Sequence, residues 1–145
     1  MVDVESVTRL RGVIGKLSRQ LNATATGEGL TPTQASVLGL VASRDTLGLA
    51  ELTQLEGLNP TMLSRVVGKL ADLGLIRRVP DPDDQRAVRV EITPAGSRLH
   101  RRLRAVRTDA VSRCLEELPD EAVKTLLGAV PALEVLAEEL KRRRS

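Results

Sequence analysis

Three times in this chain a residue with a short hydrogen-bonding side chain stands directly before a proline, at the start of an apolar-periodic run: Thr31-Pro32, Asn59-Pro60 and Thr93-Pro94. A Thr or Asn side chain accepts a hydrogen bond from the backbone N–H groups of a first helical turn. Proline at the first helical position loses nothing by lacking its own N–H. Each pair is therefore a helix start, and three of them in 145 residues commit most of the chain to helix. Gln34, three residues after Thr31, completes a capping-box pattern. Gly57 and Gly74 mark helix ends.

Periodicity fills in the rest. Val4, Val7, Leu10, Ile14, Leu17 and Leu21 lie three or four apart and predict an amphipathic helix over 4–21, ended by the stretch NATATGEG. Residues 32–42 predict a second helix, SRDTLG a break, and LAELTQLEG a short helix closed by Gly57. After Pro60, residues Met62, Leu63, Val66, Val67, Leu70 and Leu73 fall within one arc of about 140° at helical spacing. The opposite arc holds Thr61, Ser64, Arg65, Gly68, Lys69 and Asp72. LIRRVP and AVRVEIT then read as two strands, with Val88, Val90 and Ile92 on one face and Arg89 and Glu91 on the other. DPDDQR, polar and broken by proline, joins them as a hairpin tip. Helix resumes at Pro94 and runs to about Leu118. A last helix carries apolar residues at 123, 126, 127, 130, 133, 136 and 140 and is expected to kink at Pro131.

Composition removes whole classes of function. The chain has no Phe, Tyr or Trp. Single-strand binding modules stack bases on aromatic rings and lose their support here, and the core must be built from Leu, Val, Ile and Ala. Cys114 is the one cysteine, which rules out an internal disulfide or a Cys-rich zinc site; it reads as a small filler in mid-helix, with oxidant sensing as the alternative. Charges at Asp3, Glu5, Arg9, Arg11 and Lys16 interrupt any signal-peptide core. No apolar run approaches the roughly 18 residues of a membrane span. The expectation is a soluble cytoplasmic protein with no membrane partner, no cofactor and no metal.

The order of elements is a helix-turn-helix followed by a hairpin, which is a winged helix. The expected fold is mainly α with a small β-hairpin wing (α+β), a winged helix-turn-helix between N- and C-terminal dimerisation helices. Its parts are 1–30 for dimerisation, 31–97 for the winged helix and 98–145 for dimerisation. The second helix of such a pair can enter the major groove of duplex DNA, presenting its N-terminal residues to base edges. Thr61, Ser64 and Arg65 suit that position, since Arg donates twice to guanine and Ser or Thr bonds to bases or phosphate. Gly68 in mid-arc costs about 1 kcal/mol of helix stability relative to Ala. It marks either a close approach to DNA or an idle surface position. Between Arg65 and Arg107 there are eleven Lys and Arg against five Asp and Glu, a surplus of six, whereas the whole chain carries +3 and the remainder therefore −3. Basic charge concentrated around the reading helix and wing favours a phosphate backbone.

The acidic tip admits three readings. A calcium loop would follow D-x-D-x-D-G with a distal Glu, but Arg86 stands where the Gly belongs. A carboxylate active site would need a second group with a tuned pKa; His100 is the one histidine, and no nucleophile-and-base set is present. The third reading has Arg86 enter the minor groove from the tip, with Asp84 holding its guanidinium in a salt bridge.

At this point the residues resemble a known family. LNPTMLSRVVGKLADLGLIRRVPDPDDQRAVRVEITPAG resembles the MarR-type winged-helix regulators. Their wing carries D-x-R, five residues, a hydrophobic residue, Thr, two residues and Gly, matched here by Asp84, Arg86, Ile92, Thr93 and Gly96. The resemblance implies a homodimer with interlocked terminal helices, bound to a pseudo-palindromic operator. The apolar stripes at both ends independently agree: Val4, Val7, Leu10 and Ile14 are expected to meet Leu126, Leu133, Leu136 and Leu140. It also implies a repressor released by small anionic or phenolic ligands bound between the dimer helices and the reading domain. The chain departs from the better-known ligand binders in having no aromatic residue for such a pocket. Arg11, Lys16, Arg19 and His100 are candidates to pair with an anionic effector.

The leading expectation is thus a non-enzymatic, dimeric regulator of double-stranded DNA, reading its site through Pro60, Thr61, Ser64, Arg65, Gly68, Lys69, Arg77, Asp84, Arg86 and Arg89. The competing expectations are a winged helix acting through protein contacts and a non-specific DNA binder.

Overall fold

The computed structural model describes residues 1–144, excepting the side chains of Ala25 and Thr26. Its elements are α1 (Val4–Thr26), α2 (Pro32–Ala42), β1 (Leu47–Gly48), α3 (Leu49–Glu56), α4 (Pro60–Asp72), β2 (Ile76–Pro80), β3 (Val88–Ile92), α5 (Pro94–Glu116) and α6 (Asp120–Arg144). They divide into two compact units, Met1–Arg107 and Thr108–Ser145.

The three cap–proline pairs start α2, α4 and α5. Thr31 Oγ1 accepts from the Gln34 N–H while Gln34 Oε1 accepts from the Thr31 N–H, so the capping box is closed in both directions. Asn59 Oδ1 accepts from the Met62 N–H at 2.8 Å. Thr93 Oγ1 accepts from the Gly96 N–H at 3.0 Å. The left-handed backbone at Gly57 (φ 73°) and Gly74 (φ 75°) ends the two helices of the helix-turn-helix, where a side chain would be strained.

Three elements differ from expectation. α1 does not stop at residue 21; nothing between Leu21 and Gly27 breaks a helix, and Thr24 returns its hydroxyl to the Leu21 carbonyl. The supposed break after α2 contains β1, two residues that pair antiparallel with β3. The sheet therefore has three strands in the order β1-β3-β2, with Leu47 opposite Val90 and Ile76 opposite Ile92. The expected hydrophobic face of β3 is also shorter than its pattern: Val90 is buried and Ile92 packs on the core, but Val88 is exposed because it faces Pro80 near the outer end of the hairpin.

The core of the first unit joins Val37, Leu38 and Val41 of α2, Leu47 of β1, Leu52 of α3, Leu63, Val67 and Leu70 of α4, Ile76 and Val90 of the sheet, and Leu99 and Leu103 of α5. It is wholly aliphatic. Met62 and Leu73, at the edges of the apolar arc of α4, stay about half exposed. Behind the wing, Gly96 packs so closely that a Cβ there would collide with the Leu75 carbonyl oxygen.

The second unit holds the end of α5 and all of α6, which continues through Pro131. No residue of α6 is buried, and Leu126, Leu127, Val130, Leu133, Val135 and Leu140 are exposed. α1 is similar: Val4, Val7, Leu10, Val13, Ile14 and Leu17 all face solvent.

Candidate nucleic-acid interface

α4 buries one face through Leu63, Val67 and Leu70. Its other face begins with Pro60, Thr61, Ser64 and Arg65, which together line a shallow cleft at the N-terminal end of the helix. Among the described residues, the side chains of Thr61, Ser64, Arg65 and Lys69 make no hydrogen bond or ion pair. Gly68 lies one turn on. A Cβ there would meet only the Arg78 guanidinium, at an ordinary 3.7 Å, so nothing in the packing demands glycine at this place.

The wing is β2, β3 and the connection between them. Arg77 and Glu91 are cross-strand partners and form an ion pair at 2.6 Å. At the tip the acids are structural. Asp81 Oδ1 accepts from the N–H groups of Asp83 (2.8 Å) and Asp84 (3.2 Å), and Asp84 Oδ1 accepts from the Arg86 N–H at 3.0 Å. The expected salt bridge from Asp84 to the Arg86 guanidinium is absent: a carboxylate two residues away closes more readily on the adjacent backbone N–H. Among the described residues the Arg86 guanidinium has no partner and is exposed.

Arg89 sits otherwise than a free surface arginine. Its side chain is 25% exposed, its Nε donates to Thr46 Oγ1 at 2.8 Å, and its Nη1 lies 3.6 Å from Asp81 Oδ2. Of the residues that surround it, Thr46 and Glu51 did not figure as site residues in the sequence reading, and Asp81 figured only as part of the acidic tip. Thr46 is 43 residues from Arg89, and no local spacing joins them.

His100 on α5 is partly buried with its ring against Gly39. Burial, and then the charges of Arg104 and Arg107, hold its pKa below the ordinary 6.5. The Arg107 Nε is buried with no hydrogen-bond partner among the described residues. Arg11, Lys16 and Arg19 stand exposed on α1. Cys114 is exposed on α5. No helix among the described residues is long and apolar enough to cross a membrane.

A winged helix with an open reading face and this wing signature can be compared with known proteins. Residues 30–88 match the model of the MarR family. That match covers the helix-turn-helix and most of the wing, and there the chain is similar to the MarR family. Its likeness to individual members is distant but runs nearly end to end. The HTH-type transcriptional regulator MT0903.1 of Mycobacterium tuberculosis is 27% identical over 94% of this chain and 96% of its own length. The apo structure of wild-type MarR from E. coli superposes with a TM-score of 0.77 at 22% identity, covering 92% of this chain and 97% of that one. A mutant of the same E. coli MarR complexed with operator DNA gives a TM-score of 0.67 at 22% identity, over 90% and 94% of the two chains. The proteins it resembles are described as transcriptional regulators, and one of the similar structures holds operator DNA.

Proposed function

We propose that this protein is a homodimeric repressor that reads a pseudo-palindromic operator, each protomer placing α4 in the major groove and the wing tip in the adjacent minor groove. One observation carries the reading: Thr61, Ser64, Arg65, Lys69 and Arg86, all with groups suited to base edges or phosphates, are without partners among the described residues while neighbouring Arg77 and Arg89 are engaged. Long side chains left unpaired on one face are available to a polyanion. A structure of similar fold, a mutant of E. coli MarR complexed with operator DNA, supports DNA as the partner. Pro60 and Gly68 keep the approach to that face open, and Arg77, Asp84 and Arg89 shape the wing behind it.

Dimerisation is supported by the solvent-facing leucines and valines of α1 and α6. Apolar surface of that extent is uncommon on a lone subunit and marks an interaction face. Residues 1–30 and 98–145 form the dimer and 31–97 reads DNA. A two-fold axis then calls for half-sites about one helical turn apart. A small carboxylate effector is favoured over a phenolic one, because Arg107 leaves a buried Nε unsatisfied near His100 and Arg104 and the chain has no Phe, Tyr or Trp to stack on.

Selection of bound duplexes from a random pool, at two salt concentrations, tests the reading. An enriched inverted repeat is expected. Salt-sensitive binding with no enrichment would replace it with non-specific DNA binding, and no binding at any salt with protein contacts. A thermal-shift screen of small carboxylates tests the effector.

A further inference from the structure

The guanidinium of Arg89 has all three nitrogens directed inward. Nε donates to Thr46 Oγ1 at 2.8 Å and Nη2 to the Thr46 carbonyl at 3.2 Å. Nη2 also lies 3.7 Å from Glu51 Oε1, and Nη1 3.6 Å from Asp81 Oδ2. Each partner is itself committed. Glu51 reaches back to the Gly48 N–H at the start of α3 and faces Arg44 at 3.5 Å. Asp81 uses its other oxygen to hold the N–H groups of Asp83 and Asp84, and Asp84 in turn holds the N–H of Arg86.

These contacts form one connected path. It begins at the first turn of α3, the helix that precedes α4, passes through Arg89 on β3, and ends at the backbone of the wing tip. The geometry points to Arg89 as a positioning residue for DNA binding: it locks the wing to the helix-turn-helix through Thr46, Glu51 and Asp81, and so fixes where Arg86 stands relative to the reading helix. This inference rests on the reading of Arg86 as a DNA contact. The fork shape of the guanidinium is what lets one side chain serve three partners at once, which an ammonium group does not do. Asp81 is 82% covered and Arg89 75% covered at the side chain, so the pair is screened less by salt than an exposed one.

The test uses the full-length protein and a duplex recovered by the selection described above, with affinity measured across a salt series. A direct phosphate contact, when removed, lowers the slope of log affinity against log salt by about one in any background; a residue that acts through Arg86 lowers it no further than Arg86→Ala does, and not at all once Arg86 is gone. Arg89→Ala is expected to weaken binding roughly ten-fold with a slope no shallower than that of Arg86→Ala, and Arg89→Lys not to restore it. Glu51→Gln removes a negative charge, yet is expected to weaken binding as well. In an Arg86→Ala background, Arg89→Ala is expected to cost little more, because its effect passes through Arg86. A slope for the double variant shallower than that of Arg86→Ala alone, tighter or unchanged binding for Glu51→Gln, or additive losses in the double variant would each overturn the proposal. Should Arg89→Ala not fold, Glu51→Gln decides alone. Wild-type binding by Arg86→Ala would remove the wing-tip reading itself, and is read separately from the other variants.

Discussion

The hydroxyl of Thr93 donates to the Gly74 carbonyl at 2.6 Å while accepting from the Gly96 N–H at 3.0 Å. One side chain thus ties the end of α4 to the start of α5, across the root of the wing. The backbone repeats the link, with the Thr93 N–H donating to the Leu75 carbonyl. The reading helix and the wing meet here, and Gly96 is the residue whose missing side chain lets the two backbones approach.

Thr93→Val keeps the shape of the side chain and removes both hydroxyl bonds. Losing a helix cap costs about 1 kcal/mol; the Gly74 carbonyl is exposed and turns to water, so its lost bond adds little. The expected loss is about 1 kcal/mol, read as a lower denaturant midpoint at unchanged slope. Thr93→Ser should recover most of it. A Val variant as stable as the wild type would show that the backbone link alone holds the junction.

Arg65→Ala is expected to relax base preference at one position per half-site by about 1–3 kcal/mol without altering the folded protein. The side chain has no partner in the subunit to lose, so thermal stability should not move. Repeating the duplex selection with the variant checks this. An unaltered consensus would place Arg65 on phosphate or off the DNA.

His100 gives the fold a pH dependence whose direction is set by its lowered pKa. The unfolded chain takes up a proton near pH 6.5, and the folded chain resists it because the ring is partly buried beside Arg104 and Arg107. As pH falls below 6.5 the unfolded state binds more protons than the folded one, so stability declines until the folded pKa is passed; above 6.5 the group contributes no slope. His100→Gln should flatten the stability profile below pH 6.5. Equal slopes in variant and wild type would assign the acid sensitivity to other groups.

How much of this was legible in the sequence follows the range of the interactions. The helix starts at Pro32, Pro60 and Pro94 are local events, set by a cap and a proline side by side, and they were readable to the residue. The wing signature likewise lies within a short stretch. β1 was not readable: two residues, one of them glycine, carry no alternation, and their strand character comes from pairing with β3 some forty residues later. The same holds for Arg89. Its place in the alternating pattern, between Val88 and Val90 on a basic wing, matched that of a phosphate contact. Only the fold brings Thr46 and Glu51 to it. The Asp84–Arg86 pair failed for the opposite reason. The residues were correctly placed side by side, but at so short a separation the backbone N–H competes with the guanidinium and wins.

The last prediction concerns the helices that leave their apolar side uncovered. Leu133 on α6 is 43% exposed and Leu10 on α1 47% exposed; neither contributes to the buried core of the first unit. A charged residue at either place costs the isolated subunit little, because the side chain already meets water. In a dimer it would strand a carboxylate in an apolar seam, which carries a penalty of several kcal/mol unless paired. Leu133→Asp should therefore keep its helix content and shift sedimentation from dimer to monomer, with a loss of roughly 2 kcal/mol or more in association. Operator affinity should fall with it, since one half-site offers only half the contacts. A variant that sediments as a normal dimer would move the interface away from this face of α6, and with it the two-fold arrangement proposed for the operator.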